Sequence, residues 1–164
     1  MVKSIKELEA TLTRTGRLEW IGLRPAPRAA VVPTESVAVK VGTGLEGDHY
    51  HKNGGNRQVT LVQAEYLPVV GQLLGQGAVD PADLRRNLVV SGINLYALAG
   101  RQFRIGGEVV LEITGECHPC TRMEENLGEG GYQAMRSHGG MTAKVVQGGT
   151  IRMGDPVELL STKA

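Results

Sequence analysis

The sequence predicts a mostly β chain of the α+β kind, with a twisted, barrel-like core and short peripheral helices. Three observations carry that expectation. Apolar and polar residues alternate in several short runs, the signature of half-buried strands. The 23 glycines exceed the roughly 7% share of an average chain, and they pair up at Gly106-Gly107, Gly130-Gly131, Gly139-Gly140 and Gly148-Gly149, as tight turns between strands do. Helical patterns are few and short, and they do not alternate with strands in a βαβα order.

In chain order, Ser4 followed by Glu7 makes a capping-box pattern, and Ile5, Leu8 and Leu12 recur at helical spacing. With Gly16 as the stop, residues 1–16 read as an N-terminal helix. Residues 18–23 (Leu-Glu-Trp-Ile-Gly-Leu) read as a strand, and Val37, Val39 and Val41 as a second, half-buried one. Gly42 to Asn56 is too rich in Gly, His, Asp and Asn for a regular element. A strand follows at residues 57–62. Residues 64–75 have helical composition with Pro68 in the first turn, and Asp80-Pro81 opens a further helical turn with Asp80 as its cap.

Asn87 to Ser91 is the next strand. Phe103 and Ile105 continue across Gly106-Gly107 into Val109, Leu111 and Ile113 with period two. Two helix-like pieces at 121–127 and 130–137 precede three strand-like runs near 142–146, 150–153 and 156–160. No linker, low-complexity tract or internal repeat interrupts the chain, so residues 1–164 read as a single domain.

Composition narrows the function classes. Hydrophobic residues make up 41% of the chain, yet it holds one Phe and one Trp, so its core must be aliphatic. A net charge of +1 excludes the broad positive footprint of a nucleic-acid binder. No apolar run approaches the roughly 18 residues of a membrane span, and the N-terminus lacks a signal peptide's apolar stretch. Two cysteines three residues apart form no disulfide framework. A cytoplasmic protein with reduced thiols is expected, without nucleic-acid or membrane partners.

Both cysteines lie in Cys117-His118-Pro119-Cys120-Thr121-Arg122. Thiolates are the soft nucleophiles and metal ligands among side chains, and His118, Arg122 and nearby backbone N–H groups favour that form. Four readings stay open. The pair is a thioredoxin-like dithiol, or half of a zinc site completed by His49, His51 or His138. Otherwise it is two idle loop cysteines, or one working thiolate that ligates metal or carries sulfur.

A second cluster, Gly44-Leu45-Glu46-Gly47-Asp48-His49-Tyr50-His51, combines glycine freedom with an acid and imidazoles that can orient a ligand. A third, Asp83-Leu84-Arg85-Arg86-Asn87-Leu88, sets two arginines at the entry of a strand, where they suit an anion such as phosphate. Arg57, Arg122 and Arg136, taken singly, read as solvated.

In order, the segments Gly-Leu-Glu-Gly-Asp-His, Arg-Gln-Val-Thr-Leu-Val, Arg-Arg-Asn-Leu-Val-Val, Gly-Arg-Gln-Phe-Arg-Ile-Gly and Cys-His-Pro-Cys-Thr-Arg resemble the MOSC family. It is named for the C-terminal domain of molybdenum-cofactor sulfurases. The closing Gly148-Gly149-Thr150-Ile151-Arg152-Met153-Gly154-Asp155-Pro156-Val157 is similar too. The likeness covers roughly residues 20–160 and is to the small stand-alone bacterial type.

The resemblance implies a MOSC-type barrel-like fold and the molybdenum cofactor (molybdopterin). In its terms Cys120 is the catalytic thiol and metal ligand, with Cys117 a neighbouring resolving or sulfur-relay thiol. Cofactor-binding residues would be Arg85, Asn87, Asp48, His49, Arg57 and Arg122. The implied activity is an oxidoreductase that reduces N-hydroxylated or N-oxygenated substrates, fed by a separate electron-donor protein. Its rival is a sulfur carrier holding a cysteine persulfide, loaded by a sulfur-donor protein. The pyridoxal-phosphate domain of full-length sulfurases has no counterpart here, so that cofactor is not expected.

Overall fold

The computed structural model describes residues 2–50 and 53–160. The strands are β1 (Gly16–Leu23), β2 (Val32–Thr34), β3 (Ser36–Lys40), β4 (Gly44–Leu45), β5 (Val59–Gln63), β6 (Leu88–Ser91), β7 (Gln102–Ile105), β8 (Val109–Glu116), β9 (Met141–Gln147), β10 (Gly149–Arg152) and β11 (Pro156–Leu159). The α-helices are α1 (Ile5–Glu9), α2 (Tyr66–Leu73), α3 (Pro81–Leu84), α4 (Thr121–Leu127) and α5 (Gly131–Met135), with a 3-10 turn at Leu95–Leu98.

Among the described residues seven strands close into a ring in the order β1, β11, β7, β8, β9, β5, β6 and back to β1. Closure leaves the ring without open edges. β2 adds to β1 from outside, and β10, β3 and β4 form a separate three-stranded sheet. The predicted barrel of mostly β structure with short helices is therefore the observed one.

β5 and β6 decide where the site sits. They pair in parallel, Leu61 opposite Leu88 and Val62 opposite Val89. α2 and α3 form the crossover between them, the one βαβ unit among the described residues, in an order read as lacking that pattern. Every residue of β5 is buried. Val59 and Leu61, with Leu88 and Val90, belong to the core inside the barrel. Val62 and Val89 face outward beneath Val70, Leu84, Met123 and Met135 of the helices. A strand covered on both faces reads as a continuous apolar run, as β5 and β6 do. The helical layer thus seals one wall of the barrel, and the polar residues gather where it stops.

Two local expectations fail for identifiable reasons. The capping box forms as predicted, Ser4 N and Oγ donating to Glu7 and Glu7 N to Ser4 Oγ. Yet α1 ends at Glu9, not near Gly16, which instead opens β1. No residue of α1 is buried, so no packing sustains further turns, and Leu12 packs on the core from a loop. In the Gly42–Asn56 block, Gly44 and Leu45 pair with Lys40 and Val39 as a minimal strand. The other described residues of the block are turns, bends or irregular.

Candidate functional site

Asn87 stands just before β6 and is wholly buried. Its Oδ1 accepts from Thr60 N at 3.1 Å and Thr60 Oγ1 at 3.2 Å, while Nδ2 donates to the Gly22 carbonyl and to Asp48 Oδ1, both at 3.1 Å. The family resemblance offers this amide to pterin edges or to loop backbone. With no exposed surface and both amide atoms engaged, it ties β1, β5 and the Asp48 loop together.

Asp48 in turn receives Arg24. Arg24 Nε donates to Oδ1 at 3.1 Å, Nη2 to Oδ2 at 2.9 Å and the Arg24 backbone N–H to Oδ1 at 2.8 Å. Burial alone would raise the Asp48 pKa, but Arg24's hydrogen bonds and charge outweigh it and hold the carboxyl below its ordinary value. A carboxylate lowered in the folded state adds stability above its unfolded pKa, and that stability is lost as pH falls through the folded value. Asp48→Asn should therefore cost about 2 kcal/mol at pH 7, since a charged pair is lost. The gap to wild type should narrow below about pH 4, where the unfolded carboxyl protonates. Urea unfolding midpoints of both proteins from pH 7 to pH 3 check this, and a constant gap would refute it.

Arg24 was missed at the sequence level. It follows β1 directly, and nothing local separates it from a solvated arginine. The predicted His49 is half-buried and joins this group through its backbone N–H, which donates to the Arg24 carbonyl at 2.6 Å.

Arg85 adopts a left-handed conformation with φ 55 at the end of α3. Its guanidinium donates to the carbonyls of Ala29 and Ala26 and so pins the loop after β1. Burial, then the charges of Arg122 and Arg24, hold its pKa below the ordinary value. The predicted Arg85 and Arg122 thus share one positive region with Arg24. Arg122 has one carboxylate, Glu125 at 3.7 Å, and Arg85 has none among the described residues.

The two thiols are unequal, and both are free. Cys120 is exposed at the position before α4, with no capping bond from its side chain. Cys117 is 4% exposed, and its backbone N–H donates to the Gly140 carbonyl at 2.8 Å. Arg57, the remaining predicted residue, brings Nη2 to 3.9 Å from Cys117 Sγ. Cys117 also helps line a cleft of about 90 Å³ together with Tyr66, Glu116, His118 and Met141. Cys120, Arg85, Asp48 and His49 do not line that cleft. The predicted residues therefore do not gather in one concave pocket: Arg24, Arg85 and Arg122 share a positive region, Cys120 is exposed two residues before Arg122, and Cys117 lines the cleft.

The zinc reading finds no support in the geometry. Among the described residues no three His, Cys, Asp or Glu side chains converge as a metal group. His51 lies outside the described residues. His138 packs its ring edge-on against Tyr66, centroids 5.0 Å apart.

A closed seven-stranded barrel, walled by short helices and carrying an exposed cysteine amid arginines, defines the class of protein. The MOSC domain family model matches residues 48–158, and the chain belongs to that family, which is associated with molybdenum-cofactor binding. No curated protein matches the chain.

Among solved structures it resembles the YuaD protein from Bacillus subtilis, with TM-score 0.79 and 19% identity over 92% of this chain and 98% of that one. It also resembles YiiM from Escherichia coli, with TM-score 0.66 and 22% identity over 90% of this chain and 71% of that one. YiiM from Geobacillus stearothermophilus gives TM-score 0.70 and 16% identity over 89% and 75%. At such identities the likeness is one of fold. No helix among the described residues is long and apolar enough to cross a membrane.

Proposed function

We propose that this protein binds the molybdenum cofactor and is an oxidoreductase for N-hydroxylated or N-oxygenated substrates. The observation that supports the reading is the exposed Cys120 thiol, two residues before Arg122, which shares a positive region with Arg85 and Arg24. The donor set fits the cofactor. Cys120 offers one soft thiolate, the ligand type that suits a metal already held by sulfur. Arg85 and Arg122 offer the bidentate donors that a phosphate tail needs.

When bound, the cofactor would supply a two-electron redox metal. The chain itself contributes attachment and orientation. Asn87 and Asp48 act from beneath the surface, holding Arg24 and the loops in place, so their part is to position the residues that touch the ligand. The chain carries no haem, flavin or iron–sulfur motif, so electrons would come from a separate donor protein. The rival is a sulfur carrier with a persulfide on Cys120 or Cys117, loaded by a donor protein.

Protein purified from molybdate-replete cells is expected to contain molybdenum and a pterin, measured by elemental analysis and by fluorescence of the oxidised pterin. Cys120→Ala should lose the metal while keeping the fold. Folded wild-type protein with neither metal nor pterin would sink the proposal. Sulfur on a cysteine that exogenous thiol removes would then favour the carrier.

A further inference from the structure

Arg86 is a costly residue for this fold. It is 7% exposed, and its Nε donates to the Gly139 carbonyl at 2.7 Å and its Nη1 to the Leu84 carbonyl at 2.9 Å. Its Nη2 is fully buried with no hydrogen-bond partner. No carboxylate pairs with it among the described residues. A buried guanidinium with an idle N–H and no counter-charge is destabilising unless negative charge arises beside it.

Arg86 lies against the Cys117 loop, with Gly139 between its Nη2 and the Cys117 backbone. A Cβ on Gly139 would stand 2.0 Å from the Cys117 carbonyl oxygen and 3.6 Å from Arg86 Nη2. Glycine there lets the guanidinium close up under the cysteine loop. Burial pushes the Arg86 pKa down, and Cys117 is the group that most opposes the shift. Arg57 adds a second guanidinium, its Nη2 3.9 Å from Sγ. Arginine N–H groups beside a thiol can hydrogen-bond an incoming peroxide oxygen and hold it for attack.

Cys117 meets solvent through the cleft of about 90 Å³, well below the roughly 300–1,000 Å³ of drug-sized pockets. A solute as small as hydrogen peroxide can enter it. Residues 117–120 lie outside any helix or strand, so Cys117 and Cys120 can approach without breaking an element.

We propose that Cys117 is a hydroperoxide-reactive thiol with Arg57 beside its sulfur and Arg86 beside its loop, and with exposed Cys120 as its resolving thiol. The Cys117 sulfur attacks one peroxide oxygen. A sulfur–oxygen bond forms, the oxygen–oxygen bond breaks, and the leaving hydroxide takes a solvent proton to become water. The Cys120 sulfur then attacks the sulfenic sulfur, a disulfide forms, the sulfur–oxygen bond breaks, and the second oxygen leaves as water with the proton of the Cys120 thiol. One peroxide is reduced by two electrons, and two thiols are oxidised to one disulfide. The regulatory consequence rests on the cofactor reading: a disulfide withdraws Cys120 from any metal. The oxidation itself needs no cofactor, so either proposal can fail while the other stands.

The test treats cofactor-free protein with limiting hydrogen peroxide and follows intact mass and peptide maps over time. Wild type is expected to lose two hydrogens through a Cys117–Cys120 disulfide. Cys120→Ala should stop with one added oxygen on Cys117, trapped by dimedone. Arg57→Gln should slow Cys117 oxidation about tenfold, and Arg86→Met should do the same, with Arg86→Lys restoring most of the rate. Lost packing acts in the opposite direction, because it exposes a buried thiol and speeds its reaction. If Arg86→Met speeds oxidation, Arg57→Gln, which changes an exposed residue, decides the matter. Oxidation of Cys120 ahead of Cys117, or an unchanged rate in Arg57→Gln, overturns the proposal.

Discussion

Asn87→Ala is expected to destabilise the fold by about 3–5 kcal/mol, because it strands several buried polar groups at once. Thiol chemistry plays no part in that cost. The change removes the acceptor for Thr60 N and Thr60 Oγ1 and the donor to the Gly22 carbonyl and Asp48 Oδ1. Each group is shut off from water, so none recovers a solvent hydrogen bond. The site should suffer with the fold, because Asp48 loses a donor while Arg24 still draws on it. Asn87→Asp should be no milder. It replaces the donor facing Asp48 with a second buried carboxylate, and like charges repel. Denaturant unfolding monitored by circular dichroism measures the loss. A cost under about 1 kcal/mol, typical of an ordinary surface change, would contradict the bracing role.

Gly140→Ala should be comparably severe, at about 3–5 kcal/mol, through backbone geometry and not polarity. Gly140 has φ +89, a region that side chains penalise. A Cβ there would stand 1.9 Å from the Leu61 carbonyl oxygen and 3.0 Å from the Val62 Cα. Those are backbone atoms of a strand packed on both faces, so neither can yield cheaply. The same residue's carbonyl accepts the Cys117 N–H. The variant should therefore be unstable and also misplace the cysteine loop. Gly54→Ala makes a useful control, since φ is positive there too but nothing lies within 4 Å of the added carbon. Its loss should be confined to the conformational part, about 1–2 kcal/mol. Equal melting temperatures for the two variants would refute the steric argument.

Much of the fold was legible because its signals are local. The period-two runs at Val37–Val39 and Phe103–Ile113 became β3, β7 and β8. Asp80 caps α3 as read, its carboxylate accepting from Ala82 N at 2.9 Å. Pro68 sits in the first turn of α2. Errors came where pattern and packing part company. Ile5, Leu8 and Leu12 carry a helical period, but the barrel offers that face nothing to bury against, so α1 stays short. The parallel pairing of β5 with β6 left no mark beyond two apolar runs, which antiparallel partners would also show.

The candidate site divides in the same way. The chain alone determined most of the barrel strands and the family, and it put forward candidate chemical residues, because turn glycines, alternation and side-chain reactivity are properties of neighbouring positions. Tertiary structure alone decided the roles. Arg24, Asp48 and Asn87 meet across separations of 24 and 39 residues, through strands that pair only in the closed barrel. Of adjacent arginines, Arg85 stays partly exposed while Arg86 is buried against the Gly139 turn. Of two cysteines three residues apart, one faces a cleft behind the loop and the other faces solvent. Burial and charge environment depend on what the rest of the chain packs around a residue, and no local pattern encodes that.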